Sequence, residues 1–465
     1  MTPDQIGFAF LYLAVFLLIG KWIRVRVVWL QKLFIPSSII GGFLALFLGP
    51  QVLGKIMENF VGEDSFWTNG IMTENILEVW SALPGLMINV VFATLFLGAA
   101  IPGIKRIWNF GGPQLAFGWT IGWGQYVVGI LLVLLVLGPF FGVPPIAGAL
   151  IEVAFEGGHG TAAGMADTFE EMGFAEGYDL AIGLATVGIL AGVVTGIVLI
   201  NWAVRTKKTK VIDDVQGFSE LRQKGIMEFE NREPAAKMTL RPESIEPLSF
   251  HFAIVGLAIL VGYLILQFLI WIEAVTFDAD FMTYIPLFPL AMIGGIIVQV
   301  LFNKLDRADV IDRKMMNRIQ GFALDILIVT AIATVSIDVI GEYLIPFLLF
   351  AVVGITWNIL GLLILAPRII PSYWFERGIG DLGQSMGVTA TGLLLMRVAD
   401  PDNESPAFEA FGYKQLVYEP FLGGGLVTAL SVPLIFQFGA IPFLIFSIVM
   451  CLVGLLVGFF YFGKK

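Results

Sequence analysis

Two of the residue types that build cross-links and metal centres are almost missing: the 465-residue chain has one cysteine and two histidines. The single thiol, Cys451, excludes an internal disulfide and a thiolate metal cluster. Placed in a late apolar run, it is expected to face lipid. No His-x-x-x-His pair is available for a metal-dependent hydrolase. Charge is scarce as well, at 14% of residues, with 27 Lys and Arg against 37 Asp and Glu. The resulting net charge of −10 excludes the basic surface that phosphate neutralisation on nucleic acids requires. No Lys or Arg precedes the first apolar run, so that run is expected to be a retained span and not a cleaved leader.

What remains is apolar. Hydrophobic residues make up 57% of the chain, the mean hydropathy is +0.87, and the apolar residues come in runs near the length that a bilayer demands. The fold class is therefore an all-α polytopic membrane protein. Runs of spanning length cover residues 5–23, 33–53, 79–101, 113–141 and 180–204 in the first half. In the second half they cover 250–272, 284–302, 319–340, 343–365 and 416–438, and an additional C-terminal span, 442–462, closes the chain. The one polar stretch, 205–248, reads as a cytoplasmic linker.

Lys and Arg in short loops stay on the cytoplasmic side, which sets the orientation. Lys21, Arg24, Arg26 and Lys32 follow the first run, Lys105 and Arg106 the third, and Arg205, Lys207, Lys208 and Lys210 the fifth. The alternate loops carry Glu58, Glu63, Asp64, Glu74 and Glu78, and later Asp167, Glu170, Glu171, Glu176 and Asp179. The N-terminus is thus expected outside. Lys304, Arg307, Arg313, Lys314 and Arg318 continue the pattern, and Lys464 and Lys465 end the chain inside.

Five runs per half reverse the starting face, so any relation between the halves, 1–204 and 249–438, is an inverted repeat. The sequence supports one. Ile35-Pro36 before Gly41-Gly42 matches Ile285-Pro286 before Gly294-Gly295, and each half carries a glycine-broken stretch after its fourth run. Gly157, Gly160 and Gly164 repeat the spacing of Gly380, Gly383 and Gly387. Polar, broken backbone cannot face lipid, so the stretches 145–171 and 376–396 are expected to be re-entrant loops lining a cavity.

In such a loop an incoming half-helix ends at the glycines and an outgoing one starts near Thr161 or Ser385, whose hydroxyls suit an N-cap. Half-helix N-termini favour a substrate carboxylate, and freed carbonyls suit Na+. The substrate candidates are Gly158, His159, Gly160, Thr161, Gln384, Ser385 and Gly387. Glu156, Gly157, Asp381, Gly383, Thr389 and Thr391 are the ion candidates, all offering oxygen donors. Buried intramembrane acids cost about 2.5 to 3.5 kcal/mol or more and invite a function or a partner. Glu152, Asp325 and Glu419 join Glu156 and Asp381 on that ground. His251 reads as an interfacial residue, and Asn89, Gln125 and Asn358 as interhelical hydrogen bonds.

These residues resemble the bacterial glutamate:sodium symporters, through Ile35-Pro36 with Gly41-Gly42, through Gly157-Gly158-His159-Gly160-Thr161, and through Gly380, Gly383, Gly387, Thr389 and Thr391. The resemblance implies Na+ as coupling ion, uptake of glutamate or a related small carboxylate, a homodimer in the cell membrane, and elevator-like movement of a transport unit. No organic cofactor and no enzymatic activity are implied. A proton-coupled carrier of another amino acid or organic acid, with Glu156 or Asp381 titrating, stays open at this point.

Overall fold

A computed structural model describes residues 2–463 except Phe34, 62–65, 100–103, 213–220, 222–223, Glu228, 277–281, 306–307 and 402–403. Glu63, Asp64, Arg307, Lys464 and Lys465 lie outside the described residues, as do the end of the 79–101 run and part of the 205–248 linker. The described residues form helices and no strand. In chain order the long helices of the first half are α1 (Pro3–Arg26), α2 (Ser37–Phe60), α3 (Glu74–Ala93) and α4 (Trp108–Phe141). Three short ones follow, α5 (Leu150–Phe155), α6 (Gly158–Gly164) and α7 (Ala166–Glu171), before the long α8 (Glu176–Arg205). The second half brings α9 (Pro247–Thr276), α10 (Leu287–Lys304), α11 (Arg313–Ala333) and α12 (Leu344–Ile369). It ends with α13 (Trp374–Ala399), α14 (Ala407–Tyr418), α15 (Leu426–Phe438) and the long α16 (Ala440–Phe462).

Ten of these helices are long and apolar enough to cross a membrane. The expected run 416–438 is the correction. It begins inside α14 and is broken at residues 419–425, where Pro420 and positive φ at Gly423 (68°) and Gly424 (97°) end one helix before α15 begins. Proline removes a backbone donor and glycine alone tolerates these angles without cost, so the apolar run does not form one helix.

The chain packs as two compact units. The first comprises residues 1–99, 163–166 and 218–341. Here the two Gly-Gly pairs are used in the same way. A Cβ on Gly41 would strike the Phe16 carbonyl of α1, and one on Gly42 would meet Ile332 of α11. Gly294 likewise lies against the Ala258 carbonyl of α9, and Gly295 against the Ala93 carbonyl of α3. Each pair lets one helix lie between the first helix of its own half and the third of the other, with backbones in contact. Two of the orientation charges also have structural partners. Arg24 Nε donates to the Ile35 carbonyl at 2.8 Å, and Arg313 donates to the carbonyls of Thr94 and Leu97, both at 2.9 Å, capping the end of α3. His251, expected at an interface, is packed within the protein near the start of α9. It is fully buried, donates from Nδ1 to the Pro247 carbonyl at 2.6 Å and accepts from the Asp312 N–H at 2.9 Å.

The second unit, residues 100–162, 167–217 and 342–465, is built around α4. Trp108 packs on Tyr461 and Phe462, and Tyr126 on Phe443, so α16 runs antiparallel to α4. Cys451 of α16 is buried there, with Sγ 3.6 Å from the Thr120 carbonyl, and is not lipid-facing as expected. On another face Gly111, Gly118 and Gly122 admit Tyr413, Lys414 and Tyr418 of α14 at close range. Both α4 and α12 carry a widened π turn near their ends, Val133–Leu137 and Gly361–Leu365, with a proline two residues beyond each, Pro139 and Pro367. A proline near the end of a helix removes one donor, and the wider turn re-satisfies the freed backbone groups.

Candidate functional site

Inside the second unit both glycine-broken stretches interrupt their helices. In the first, α5 ends at Glu156 and Gly157, and α6 starts at Gly158 with φ +69°. In the second, α13 is two half-helices joined at Gly387 (φ −153°, ψ 38°) and Val388 (φ 59°, ψ 173°). These halves fold back on each other: a Cβ on Gly383 would lie 2.7 Å from Gly392 Cα, and one on Gly380 2.6 Å from Met396 Sδ. Small residues on the inner face of this hairpin explain the glycine spacing. The two breaks meet. A Cβ on Gly158 would strike Val388 Cγ1, and Gly188 of α8 lies against the Met386 carbonyl.

The expected hydroxyl N-caps are not formed. Thr161 lies inside α6 and donates back to the Gly157 carbonyl at 3.0 Å, while Ser385 precedes the break and the outgoing half starts after Val388. The reason is that positive φ at Gly158 and at Val388 starts each outgoing helix, so the cap residue is not the hydroxyl residue. His159 is buried and pairs with the Thr186 hydroxyl at 2.8 Å. Gly160 and Gly387 are buried at the breaks, and Gly387 lies against Thr391 and Ile189.

The acids are partnered by residues that the sequence reading passed over. Glu152 accepts from Tyr126 at 2.5 Å, from the Gly423 N–H at 3.0 Å and from Thr428 at 2.7 Å. Glu156 accepts from the Tyr418 hydroxyl, and the Ser385 side chain also lies against its carboxylate. Asp381 pairs with Lys414 at 3.0 Å, both side chains buried, and the same ammonium donates to Gln384. Lys414 also lies 3.9 Å from the centre of the Tyr418 ring. Thr389 donates to Glu419 at 2.7 Å and accepts from Gln415 at 2.6 Å.

The interhelical amides expected at Gln125 and Asn358 do form, donating to the Ser385 carbonyl at 2.7 and 3.1 Å. Asn89 instead donates within its own helix, to the Gly85 carbonyl at 2.8 Å. Asp325 belongs to the first unit and is not part of this cluster. Lys414 escaped notice because one lysine beside Tyr413, just ahead of an apolar run, reads as a flanking charge. The visible signal was Gly118 and Gly122 on α4, which leave room for a large buried partner.

Broken helices around buried, paired charges in an all-helical multi-pass membrane protein are features that secondary transporters use. The chain is a member of the sodium/glutamate symporter family, whose pattern matches residues 5–396. No individual curated protein matches it. Sodium-coupled transport is the activity of that family, and the match ends before Lys414, Tyr418 and Glu419.

Proposed function

We propose that the protein takes up glutamate or a closely related small carboxylate together with Na+, and that the meeting point of the Gly158 and Val388 breaks is its binding site. That juxtaposition is the observation that carries the reading. It brings two interrupted helices to one buried place, where freed carbonyls and half-helix ends act at close range. In this reading Gly158, His159, Gly160, Thr161, Gln384, Ser385 and Gly387 line the substrate position. Glu156, Gly157, Gly383, Thr389 and Thr391 serve the ions, and Asp381 acts through its pairing with Lys414. The buried Glu156 carboxylate is a hard oxygen donor suited to Na+.

The test follows from charge arithmetic. One elementary charge moved across 100 mV is worth about 2.3 kcal/mol, so a monoanion with one Na+ gains nothing from the potential. At least two cations per substrate give electrogenic uptake. In proteoliposomes with an inward Na+ gradient, labelled glutamate should accumulate, and a valinomycin-set negative interior should raise the accumulation further. Uptake that ignores Na+ and follows an imposed pH gradient would transfer the reading to proton coupling through Glu156.

The halves 1–204 and 249–438 are read as inverted repeats with re-entrant loops, 145–171 from outside and 376–396 from inside, moving elevator-like in a dimer of the cell membrane. The reciprocal use of Gly41-Gly42 and Gly294-Gly295, the matched π turns and the loop charges support this. Residues 439–465 then form an additional span, with the N-terminus outside and the C-terminus inside. Single cysteines at the exposed positions Asp167 and Ala390, in a Cys451→Ser background, should label with impermeant reagents from opposite sides of right-side-out and inverted vesicles. Labelling from the same side would sink the inverted arrangement.

A further inference from the structure

Among the described residues Lys414 is the one buried ammonium that touches the broken helix of the second half, and the family match does not reach it. Its surroundings are complete. Nζ lies 3.0 Å from Asp381 Oδ1, donates to Gln384 Oε1 and stands over the Tyr418 ring, whose hydroxyl donates to Glu156. Gly118 of α4 leaves the space for it: a Cβ there would lie 2.6 Å from Lys414 Cε and 3.4 Å from Asp381 Oδ1. Arg377, also buried, donates to the Gln114 side chain at 3.3 Å and to the Phe110 carbonyl at 3.0 Å, and acts on Asp381 through its charge. The ammonium therefore holds the place, beside a carboxylate, a carboxamide oxygen and an aromatic face, where a bare monovalent cation would otherwise bind.

We propose that Lys414 is a tethered cation that substitutes for one coupling Na+ at Asp381. The proposal rests on the reading of the two breaks as the transport site. Its physical content is a difference in what each cation does over a cycle. A lysine fixed to the protein moves inward with the loaded site and outward with the empty one, so it carries no net charge. A Na+ in the same place moves inward only. Placing the fixed charge there lowers the number of ions spent per substrate while still neutralising a carboxylate buried beside Gln384, whose uncompensated charge would be costly in a low-dielectric interior.

The experiment compares the parent with Lys414→Gln and with Lys414→Gln/Asp381→Asn. Charge per substrate is read from the membrane potential that nulls net flux at fixed gradients in proteoliposomes. The single variant should move one more positive charge per substrate and show a Na+ dependence steeper by one ion. At 100 mV that extra charge corresponds to about 50-fold more accumulation. The double variant, which removes both charges, should return to the parent count. Because the single variant can lose transport or folding, Na+ binding is also titrated without substrate, by Na+-dependent thermal stabilisation of detergent-purified protein. Lys414→Gln should gain stabilisation by Na+ that the double variant lacks.

An unchanged charge count overturns the proposal, as does a single variant that Na+ does not stabilise beyond the parent. If Lys414→Gln cannot be purified at any Na+ concentration, the double variant decides: folding with the parent charge count supports the proposal, and any other count overturns it. A parent protein without Na+-driven uptake would instead remove the transport reading, a result separate from the substrate-free titration.

Discussion

Replacing Gly158 by alanine is expected to abolish most uptake, on the order of tenfold or more, in protein that is still folded and inserted. Two costs act at one atom. Gly158 has φ +69°, where an L side chain costs roughly 1–2 kcal/mol. The new methyl group also runs into Val388 Cγ1, and overpacking of a close-packed site costs roughly 1–3 kcal/mol. Relief requires the two breaks to separate. If their contact forms the site, even a small separation misplaces the freed carbonyls and so lowers transport more than stability. Val388 carries its own strain: φ 59° with ψ 173° is a region that costs a β-branched residue roughly 1–3 kcal/mol.

Val388→Gly should therefore relieve both the backbone strain and the collision, and the pair Gly158→Ala/Val388→Gly should recover much of the uptake that Gly158→Ala loses. The measurements are initial rates of Na+-driven uptake and melting temperatures in detergent. Normal transport by Gly158→Ala, or no recovery in the pair, would show that the breaks do not act together.

Glu152→Ala should be among the most destabilising single changes in the molecule. Its carboxylate is the common acceptor for the Tyr126 hydroxyl, the Gly423 amide and the Thr428 hydroxyl, all in the interior of the second unit. Truncation leaves two buried hydroxyls and one half-buried amide without this acceptor, each buried donor worth about 1–3 kcal/mol of lost compensation. A total on the order of 3–5 kcal/mol is expected even after partial relaxation. Glu152→Gln keeps one acceptor oxygen but turns an amide N–H2 toward a donor, so it should fall between the two. Thermal melting of the three proteins in one detergent checks the order. Equal melting of Glu152→Ala and the parent would mean that this carboxylate does not hold the Gly423–Gly425 turn in place.

The same residue shows where reading the chain stops. Glu152 was visible as an acid in an apolar run, which by the cost of burial calls for a partner. The partners themselves lie 271 and 276 positions away at Gly423 and Thr428, a pairing set by packing and carrying no local periodicity. Lys414 and Asp381 are likewise separated in sequence by α14 and half of α13, and only their burial together makes them a pair.

By itself the sequence determined the membrane class, nine of the ten long first- and second-half runs and the paired glycine motifs. These follow from local rules: length of apolar runs, the cost of unpaired backbone in lipid, and the low side-chain bulk of glycine. It also carried the signal for the broken 416–438 run, Pro420 with three consecutive glycines, against a hydropathy that reads straight through them. Only the tertiary structure decided that Cys451 and His251 are buried, that positive φ at Gly158 and Val388, not the hydroxyls of Thr161 and Ser385, starts the outgoing half-helices, and which cation meets which acid. Those outcomes depend on which faces are pressed together across hundreds of residues, and the free energy of a buried charge is set by its neighbours in space.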